Sequence, residues 1–370
     1  MTLVLKVDPE SPEPEFIARA AAVIRGGGLV AFPTETVYGL GANALDGEAV
    51  TGIFVAKDRP SYDPLIVHLA DANQINMVVA VVPDVVRTLA AAFWPGPLTL
   101  VLPRGSRVPL EVTAGGDTVA VRVPSHPVAQ ALLEAAGVPI AAPSANRFGR
   151  VSPTRPEHVL HDLESRFDLL LDAGSTPVGV ESTVLSLVEA VPTLLRPGGV
   201  SREALERVLG PIEIASSILV SEDQEPTERL ISPGTSTKHY APRAEVILYR
   251  GEREPTLFQM RAAAEARLEA GDRVGVLLVE EDMSALTGLP VEAESLGSIT
   301  SMRQIAQRLF AALRALDQAG VEVILTRDLG DVGLGLAVRD RLMRAAGGRV
   351  VEVTTGENCA SALGKPTRLA

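Results

Sequence analysis

Short apolar runs alternate with amphipathic stretches through residues 1–213. Runs of three to five apolar residues are typical of buried strands, and apolar residues recurring every three to four positions predict helices. Strands are predicted at residues 29–32, 65–69, 98–102, 119–123, 139–142, 169–171, 183–187 and 193–195. Helices are predicted at residues 15–25, 85–93, 128–136 and 156–163, and Asp46 is predicted to cap a further helix that runs through Ile53 to Ala56. This order predicts an α/β domain with one large, twisted, open sheet and helices packed on it.

The pattern stops at residue 214 and resumes at residue 244. Residues 214–243 contain "SEDQEP" and "SPGTSTKHYAP" without periodicity, which predicts a linker or a lid. Beyond it, strands are predicted at 246–249, 274–279 and 321–325, and helices at 257–268, 302–316 and 336–345. Residues 244–370 are therefore predicted to form a smaller Rossmann-like α/β domain with a parallel sheet.

Composition narrows the class of protein. With 370 residues, of which 46% are hydrophobic, the chain is long enough for two cores. The net charge of −12 argues against a protein whose main task is to grip a nucleic-acid backbone, although a local basic cleft stays possible. A single cysteine, Cys359, excludes a zinc cluster or disulfide framework within one chain. We find no membrane span and no leader pattern, so a cytoplasmic location is expected.

The stretch "FPTETVYGLGAN", residues 32–43, combines small hydroxyls, an acid and close-set glycines where a strand ends. With a helix expected to follow, such residues usually line a pocket for a small polar ligand.

Five further clusters place cations and hydroxyls near the ends of predicted strands and helices. They are "AKDRPSYDPLIVH" (56–68), "GDTVAVRVPSHP" (116–127), "AAPSANRFGRVSPT" (141–154), "VESTVLSL" (180–187) and "LLRPGGVS" (194–201). Lys57 and Arg59 also have a simpler explanation as helix C-terminal cations. Arg122, alone on an apolar strand and on the same face as Thr118, needs a partner or a cleft. The set contains no acid pair or nucleophile triad, so it indicates an anion-binding cleft suited to adenylyl or phosphoryl transfer.

Other motifs are weaker. His158 and His161 have a metal-like spacing, but without nearby cysteines or acids we interpret them as a solvated helix face and predict no metal site. The chain lacks a P-loop, and Gly330, Gly333 and Gly335 do not form the dinucleotide fingerprint.

Taken in order, these motifs resemble the YrdC-like family. "FPTETVYGLGANA", "KDRPSYDPLIVHL", "FWPGPLTLVL", "VAVRVPSHP", "PIAAPSANRFGRVSPT", "ESTVLSL" and "LRPGGVS" carry the resemblance. The length, the "SPGTSTKHYAP" segment and the second α/β domain are similar to the two-domain branch, the threonylcarbamoyl-AMP synthases. That resemblance implies a nucleotidyltransferase that makes L-threonylcarbamoyladenylate and pyrophosphate from L-threonine, bicarbonate or CO2, and ATP with Mg2+. The product serves threonylcarbamoyladenosine modification of tRNA position 37, through a separate transferase complex.

The resemblance also implies roles for single residues. The catalytic set falls on Lys57, Arg59, Ser144 and Asn146. Contacts to L-threonine fall on Thr36, His68, Arg122, Ala142 and Ser182. Contacts to ATP fall on Arg59, Asp63, Thr118, Ser144, Ser152, Arg196 and Tyr240. No tightly bound cofactor is implied.

This sequence differs from the family's usual pattern at two places, and the same motifs have two other interpretations. Asp63 stands where the family usually has asparagine, which favours a contact to sugar or through magnesium over one to phosphate. Residues 235–237 differ from the family's linker, whereas Tyr240 matches it.

The YrdC-like carbamoyltransferase of hydrogenase maturation carries zinc-finger cysteines, which this chain lacks. The alternative function that stays open is a double-stranded RNA-binding or ribosome-associated module. A weak contact between this chain and RNA is also expected.

Overall fold

The structure, a computed structural model, describes residues 1–215 and 241–354. These residues form two compact units, each with its own sheet. The first unit contains residues 1–148 and 152–215, and the second contains Gly149–Val151 and residues 241–354. Within these described ranges, every helix is too short or too polar to cross a bilayer. Tyr240 and the "SPGTSTKHYAP" segment, except for its last two residues, lie outside the described residues.

The described part of the first unit carries an 11-stranded sheet. Its strands are β1 (Leu3–Lys6), β2 (Val30–Pro33), β3 (Tyr38–Asn43), β4 (Ile66–His68), β5 (Leu98–Pro103), β6 (Thr118–Arg122), β7 (Ile140–Ala141), β8 (Leu169–Asp172), β9 (Thr183–Ser186), β10 (Thr193–Arg196) and β11 (Glu213–Ile214). Their spatial order is β1-β8-β2-β3-β7-β4-β6-β5-β9-β10-β11, with parallel and antiparallel pairs mixed. Strands of such a sheet twist progressively from one neighbour to the next.

Six α-helices accompany these strands among the described residues. They are α1 (Pro14–Arg25), α2 (Gly47–Lys57), α3 (Asp84–Phe93), α4 (Pro127–Ala136), α5 (Pro156–Leu163) and α6 (Arg202–Leu209), with a 3₁₀ helix at Ala72–Met77. Proline at the first position of α1, α4 and α5 fixes the backbone angle that a helix start needs. Asp46 caps α2 by accepting hydrogen bonds from the backbone N–H groups of Glu48 and Ala49. Helices α1 and α4 pack together on β1, β2 and β8 through residues such as Ile24, Leu132 and Leu171.

The second unit has a fully parallel sheet of five strands in its described part. The elements are β12 (Glu245–Gly251), α7 (Arg253–Glu269), β13 (Val274–Leu278), a 3₁₀ helix (Glu280–Leu286), β14 (Glu292–Ser295), α8 (Met302–Ala319), β15 (Val323–Arg327), α9 (Gly335–Ala346) and β16 (Val350–Val353). The strand order is β14-β13-β15-β12-β16. A parallel sheet with helical crossovers is the Rossmann-like arrangement that the sequence predicts. The predicted fold class, a large twisted sheet with helices plus a smaller α/β domain, is confirmed.

One strand is not predicted from the sequence. The glycine-rich run after β2 contains it, since Tyr38–Asn43 forms β3 and pairs antiparallel with β2. Glycine fits here because the strand packs tightly against its neighbours. A Cβ on Gly41 would lie 2.7 Å from Cγ2 of Ile140 and 2.8 Å from Cε1 of Phe32. Helix α2 begins only after this strand.

Candidate active site

Residues 34–37 connect β2 to β3 and form a network of hydroxyl groups. The Thr34 hydroxyl donates to the backbone oxygen of Val37 at 2.7 Å. It also accepts from the backbone N–H groups of Thr36 and Val37. Because its one proton is used, the 2.8 Å contact between the Thr34 and Thr36 hydroxyls has Thr36 as the donor. The oxygen of Thr36 is thereby left as an acceptor.

The guanidinium of Arg122 uses that acceptor. Arg122 ends β6, is 3% exposed, and donates from Nη1 to the Thr36 hydroxyl at 3.0 Å and from Nε to the backbone oxygen of Gly96 at 3.2 Å. Its Nη2 lies 2.6 Å from Oε1 of Glu35, which is also buried. The predicted partner for this solitary cation is therefore present. We name Glu35, Thr36, His68 and Arg122 the guanidinium pocket.

His68 belongs to this pocket through strand pairing. Strands β4 and β6 are parallel, and their register sets His68 directly beside Arg122. Burial, with help from the Arg122 charge, lowers the pKa of His68 from 6.5 to about 3, so its imidazole is neutral. Its Nδ1 has no hydrogen-bond partner among the described residues. The pocket therefore offers one strong cation and a neutral ring.

A second group of charges surrounds the end of α2, and Lys57 is its centre. Lys57 is 1% exposed, and its Nζ donates to the backbone oxygens of Ser144, at 2.6 Å, and of Asn146. Burial, and then the nearby Arg59, hold the pKa of Lys57 well below its usual value. This lysine is thus not the exposed helix-terminal cation of the simpler interpretation, and it holds the loop after β7 in place.

Arg59 and Asp63 form a buried ion pair beside Lys57. Nη2 of Arg59 lies 2.9 Å from Oδ1 of Asp63 and also donates to the backbone oxygen of Pro64, while Nε donates to the backbone oxygen of Asp63. The guanidinium also lies over the ring of Phe148, 5.8 Å from its centroid. Burial raises the pKa of Asp63, and the charges of Arg59, Lys57 and Arg196 oppose that rise.

Arg196, at the end of β10, reaches Ser182. It donates to the backbone oxygen of Ser182 from Nε at 3.2 Å and from Nη2 at 3.0 Å, and Nη2 also donates to the Ser182 hydroxyl. That hydroxyl contacts the Thr99 hydroxyl at 2.7 Å. We name Lys57, Arg59, Asp63 and Arg196 the cationic cluster. The resemblance assigns Ser182 to the threonine site and Arg196 to the ATP site, and the structure shows these two residues hydrogen-bonded to each other.

The remaining predicted residues are more dispersed. The Ser152 hydroxyl donates to the Glu181 carboxylate. Ala142 is buried next to β4, where its backbone N–H donates to Ile66. Thr118 is half-buried at the start of β6, four residues before Arg122.

Sequence reasoning named no role for Glu35, Thr99 or Glu181, although the structure shows each bonded to a predicted site residue. Glu35 and Glu181 stand next to predicted residues, and that adjacency is the one signal that could have found them. His158 is buried and accepts from the Thr154 backbone N–H, so it does not lie on a solvated face as predicted. In the described ranges, no three His, Cys, Asp or Glu side chains are grouped to hold a metal ion.

Unsatisfied polar atoms concentrate in the two groups. Buried side-chain atoms without an aligned hydrogen bond in the described structure include both carboxylate oxygens of Glu35 and of Asp63, Nδ1 of His68 and Nη2 of Arg122. Ion pairs compensate Oε1 of Glu35, Nη2 of Arg122 and Oδ1 of Asp63. The other three atoms have no such pair within the described ranges, and a buried polar atom left unsatisfied costs about 1–3 kcal/mol. The arrangement can therefore accept a small ligand carrying both donors and acceptors.

Comparison with known proteins gives consistent matches. A family model described as telomere recombination, the Sua5/YciO/YrdC model, matches residues 22–198, and the model of the threonylcarbamoyl-AMP synthase C-terminal domain matches residues 200–347. Threonylcarbamoyl-AMP synthase of Bacillus subtilis is 46% identical over 336 residues, covering 90% of this chain and 94% of that protein. The Pyrococcus abyssi enzyme of the same name is 44% identical, covering 95% and 100%. The crystal structure of P. abyssi Sua5 complexed with L-threonine matches with a TM-score of 0.90, covering 95% of this chain and 100% of that one.

Proposed function

The chain belongs to the threonylcarbamoyl-AMP synthase family, and we propose that it makes L-threonylcarbamoyladenylate from L-threonine, bicarbonate or CO2, and ATP, releasing pyrophosphate. The observation that carries this proposal is the match, over nearly the whole chain, to a relative that binds L-threonine. Because AMP is transferred to a carbamate, the enzyme is a nucleotidyltransferase. The guanidinium pocket and the cationic cluster are its proposed substrate sites.

The guanidinium pocket is the proposed site of L-threonine. Arg122 presents N–H groups in a fork that matches a carboxylate in two places, which lysine could not do. Thr36, His68 and Ser182 then contact the amine and hydroxyl, and the Ala142 backbone completes the wall. Neutral His68 adds no second positive charge beside Arg122, so it does not repel the threonine ammonium.

The cationic cluster is the proposed site of the ATP phosphates. Lys57, Arg59 and Arg196 neutralise the triphosphate and the charge that grows on departing pyrophosphate. ATP enters as its magnesium complex, so the ion arrives with the substrate. A bound phosphate would also raise the pKa of Lys57, reversing the effect of its burial. Asp63, Thr118, Ser144, Ser152 and Tyr240 are the proposed contacts to the rest of the nucleotide, and Asn146 is proposed to lie between the two ligands.

The reaction requires no covalent attachment to a side chain. The threonine amine adds to CO2 and loses a proton, which gives a carbamate. A carbamate oxygen then forms a bond to the α-phosphorus while the bond to pyrophosphate breaks. Positioning and charge neutralisation suffice for such a transfer, which explains why the site contains no nucleophile triad.

The product is proposed to pass to a separate transferase complex that modifies tRNA position 37, in the cytoplasm. RNA contact by this chain is proposed to be weak. We further propose the division into a catalytic domain at 1–213, a linker or lid at 214–243 and a Rossmann-like domain at 244–370.

An omission experiment tests the function. Pyrophosphate release is measured with ATP, L-threonine and bicarbonate together, and again with each one left out. We expect release only in the complete mixture. Equal release without L-threonine would show hydrolysis of ATP to AMP and pyrophosphate. Equal release without added and dissolved bicarbonate would show that threonine itself is adenylated, and either result would overturn the proposal.

A further inference from the structure

Glu35 is a buried acid that the mechanism above does not use. It lies between Thr34 and Thr36 in the connection from β2 to β3, and its side chain is 5% exposed. Its backbone oxygen accepts from Val178, which fixes the main chain. Its side chain faces Arg122, with Oε1 2.6 Å from Nη2.

The ion pair leaves Glu35 incompletely satisfied. Neither carboxylate oxygen has an aligned hydrogen bond among the described residues, and neither does Nη2 of Arg122. A buried carboxylate is normally surrounded by donors, because removing it from water is costly. Charge attraction to Arg122 supplies part of that compensation, and hydrogen-bond donors are still needed.

Arg122 has donors to spare for a second partner. Its five N–H groups include one on Nε, which Gly96 uses, and two on each terminal nitrogen. Thr36 takes one from Nη1, and Glu35 faces Nη2. Each terminal nitrogen therefore keeps at least one N–H that these contacts do not use. A ligand carboxylate can accept from them while Glu35 stays beside Nη2.

We propose that Glu35 binds the α-ammonium group of L-threonine while Arg122 binds its carboxylate. An amino acid carries opposite charges on the two groups of one α-carbon, and the Glu35–Arg122 pair presents the opposite charges side by side. The ammonium brings three N–H donors to the carboxylate that lacks them. Glu35 is thus a specificity residue that selects an amino acid over a hydroxy acid. This inference rests on the proposed threonine substrate.

The test compares two ligands by calorimetric titration. One is L-threonine, and the other is 2,3-dihydroxybutanoate of the same configuration, in which a hydroxyl replaces the ammonium. The unaltered protein should bind threonine about tenfold to a hundredfold more tightly, the value of a charge-assisted hydrogen bond. Glu35→Gln should lose most of that preference, by weakening threonine while leaving the hydroxy acid nearly unchanged.

Two variants control for structural effects. Glu35→Asp keeps the charge and should keep part of the preference, and Glu164→Gln, at an exposed position after α5, should keep all of it. If Glu35→Gln weakens both ligands equally, the residue only positions Arg122 and the inference is overturned. An unchanged preference in Glu35→Gln overturns it as well. This experiment measures binding and not catalysis. If the protein binds threonine but releases no pyrophosphate, the proposed function fails, and the titrations still test the role of Glu35.

Discussion

Arg122 shows how one side chain depends on its buried neighbours. Removing it altogether would leave Glu35 as an unpaired buried charge, at a cost of several kcal/mol. Arg122→Lys is the sharper substitution, because it keeps a positive charge near Glu35 and removes the fork. We expect threonine affinity to fall about tenfold to a hundredfold, by loss of a bidentate pair, with ATP affinity nearly unchanged.

Calorimetry with each ligand separately measures this effect. Thermal unfolding of the variant provides the control for its stability. Threonine affinity equal to that of the unaltered protein would remove Arg122 from the carboxylate site.

His68 should make the stability of the protein sensitive to acid. Its pKa is about 3 in the folded state and 6.5 in the unfolded state, so below pH 6.5 the unfolded chain binds a proton that the folded one refuses. Unfolding is therefore favoured as the pH falls from 6.5 toward 3, by at most a few kcal/mol. His68→Gln removes this contribution.

Urea unfolding at about pH 7 and about pH 5 measures this contribution, which amounts to roughly 1.4 kcal/mol for each pH unit below 6.5. The free energy of unfolding of the His68→Gln variant should fall less between the two pH values than that of the unaltered protein. His161→Gln, at an exposed position on α5, is the matched control and should follow the unaltered protein. Equal falls for His68→Gln and the unaltered protein would contradict a buried, neutral imidazole.

Single residues were predictable from sequence where their type was unusual for its place. Arg122 stood out because an apolar strand does not otherwise contain arginine. Glu35 did not, because an acid between two threonines is ordinary in a loop, and only the fold shows that it is buried against a guanidinium. His158 was assigned to the surface because helix periodicity does not show which face the loop at Thr154 covers.

At the scale of elements, the residues that begin helices give the most dependable predictions. Helix α5 begins at the predicted proline, and Asp46 caps α2 as expected. The sequence does not predict strand β3, because its two glycines are typical of a turn. A side chain at Gly41 would collide with Phe32 and Ile140, so packing requires glycine there, and only the fold shows that packing. Strand β14 was missed because "EAES" has the charge of an exposed segment, and its pairing to β13 is a tertiary effect.

The turn after β10 offers a test of how an element positions a site residue. A Cβ on Gly198 would lie 2.5 Å from the backbone N of Thr183 and closer still to Glu181 and Ser182. Gly198→Ala must therefore push this turn away from Ser182, the residue that Arg196 holds. We expect a loss of about 1–3 kcal/mol in unfolding free energy, together with weaker ATP binding.

Gly52→Ala within α2 is the matched control, because its new Cβ would meet only Leu29 side-chain atoms, at 3.6 Å or more. That variant should gain about 0.5–1 kcal/mol from helix propensity. Denaturant unfolding and calorimetry with ATP measure both variants. Equal unfolding free energies and equal ATP affinities for the two variants would show that the turn after β10 moves without cost, and would contradict the prediction.

For the whole molecule, the net charge favours the threonylcarbamoyl-AMP synthase over the RNA-binding module, the alternative function that the sequence left open. A net charge of −12 argues against the broad basic surface that gives tight RNA binding, although the proposed phosphate site in the cationic cluster would hold a few phosphates. In filter binding, we expect weak association with double-stranded RNA at about 50 mM salt and almost none at about 200 mM. Tight binding at the higher salt, with no pyrophosphate release, would favour the RNA-binding module.

In the proposed reaction, one active site joins threonine, inorganic carbon and AMP. Heavy-carbon bicarbonate is supplied with L-threonine and ATP, and the nucleotide product is identified by mass spectrometry. We expect L-threonylcarbamoyladenylate whose carbamoyl carbon carries the label, formed in equal amount to pyrophosphate. AMP and pyrophosphate formed at the same rate without threonine, or a threonine adenylate without the labelled carbon, would contradict it.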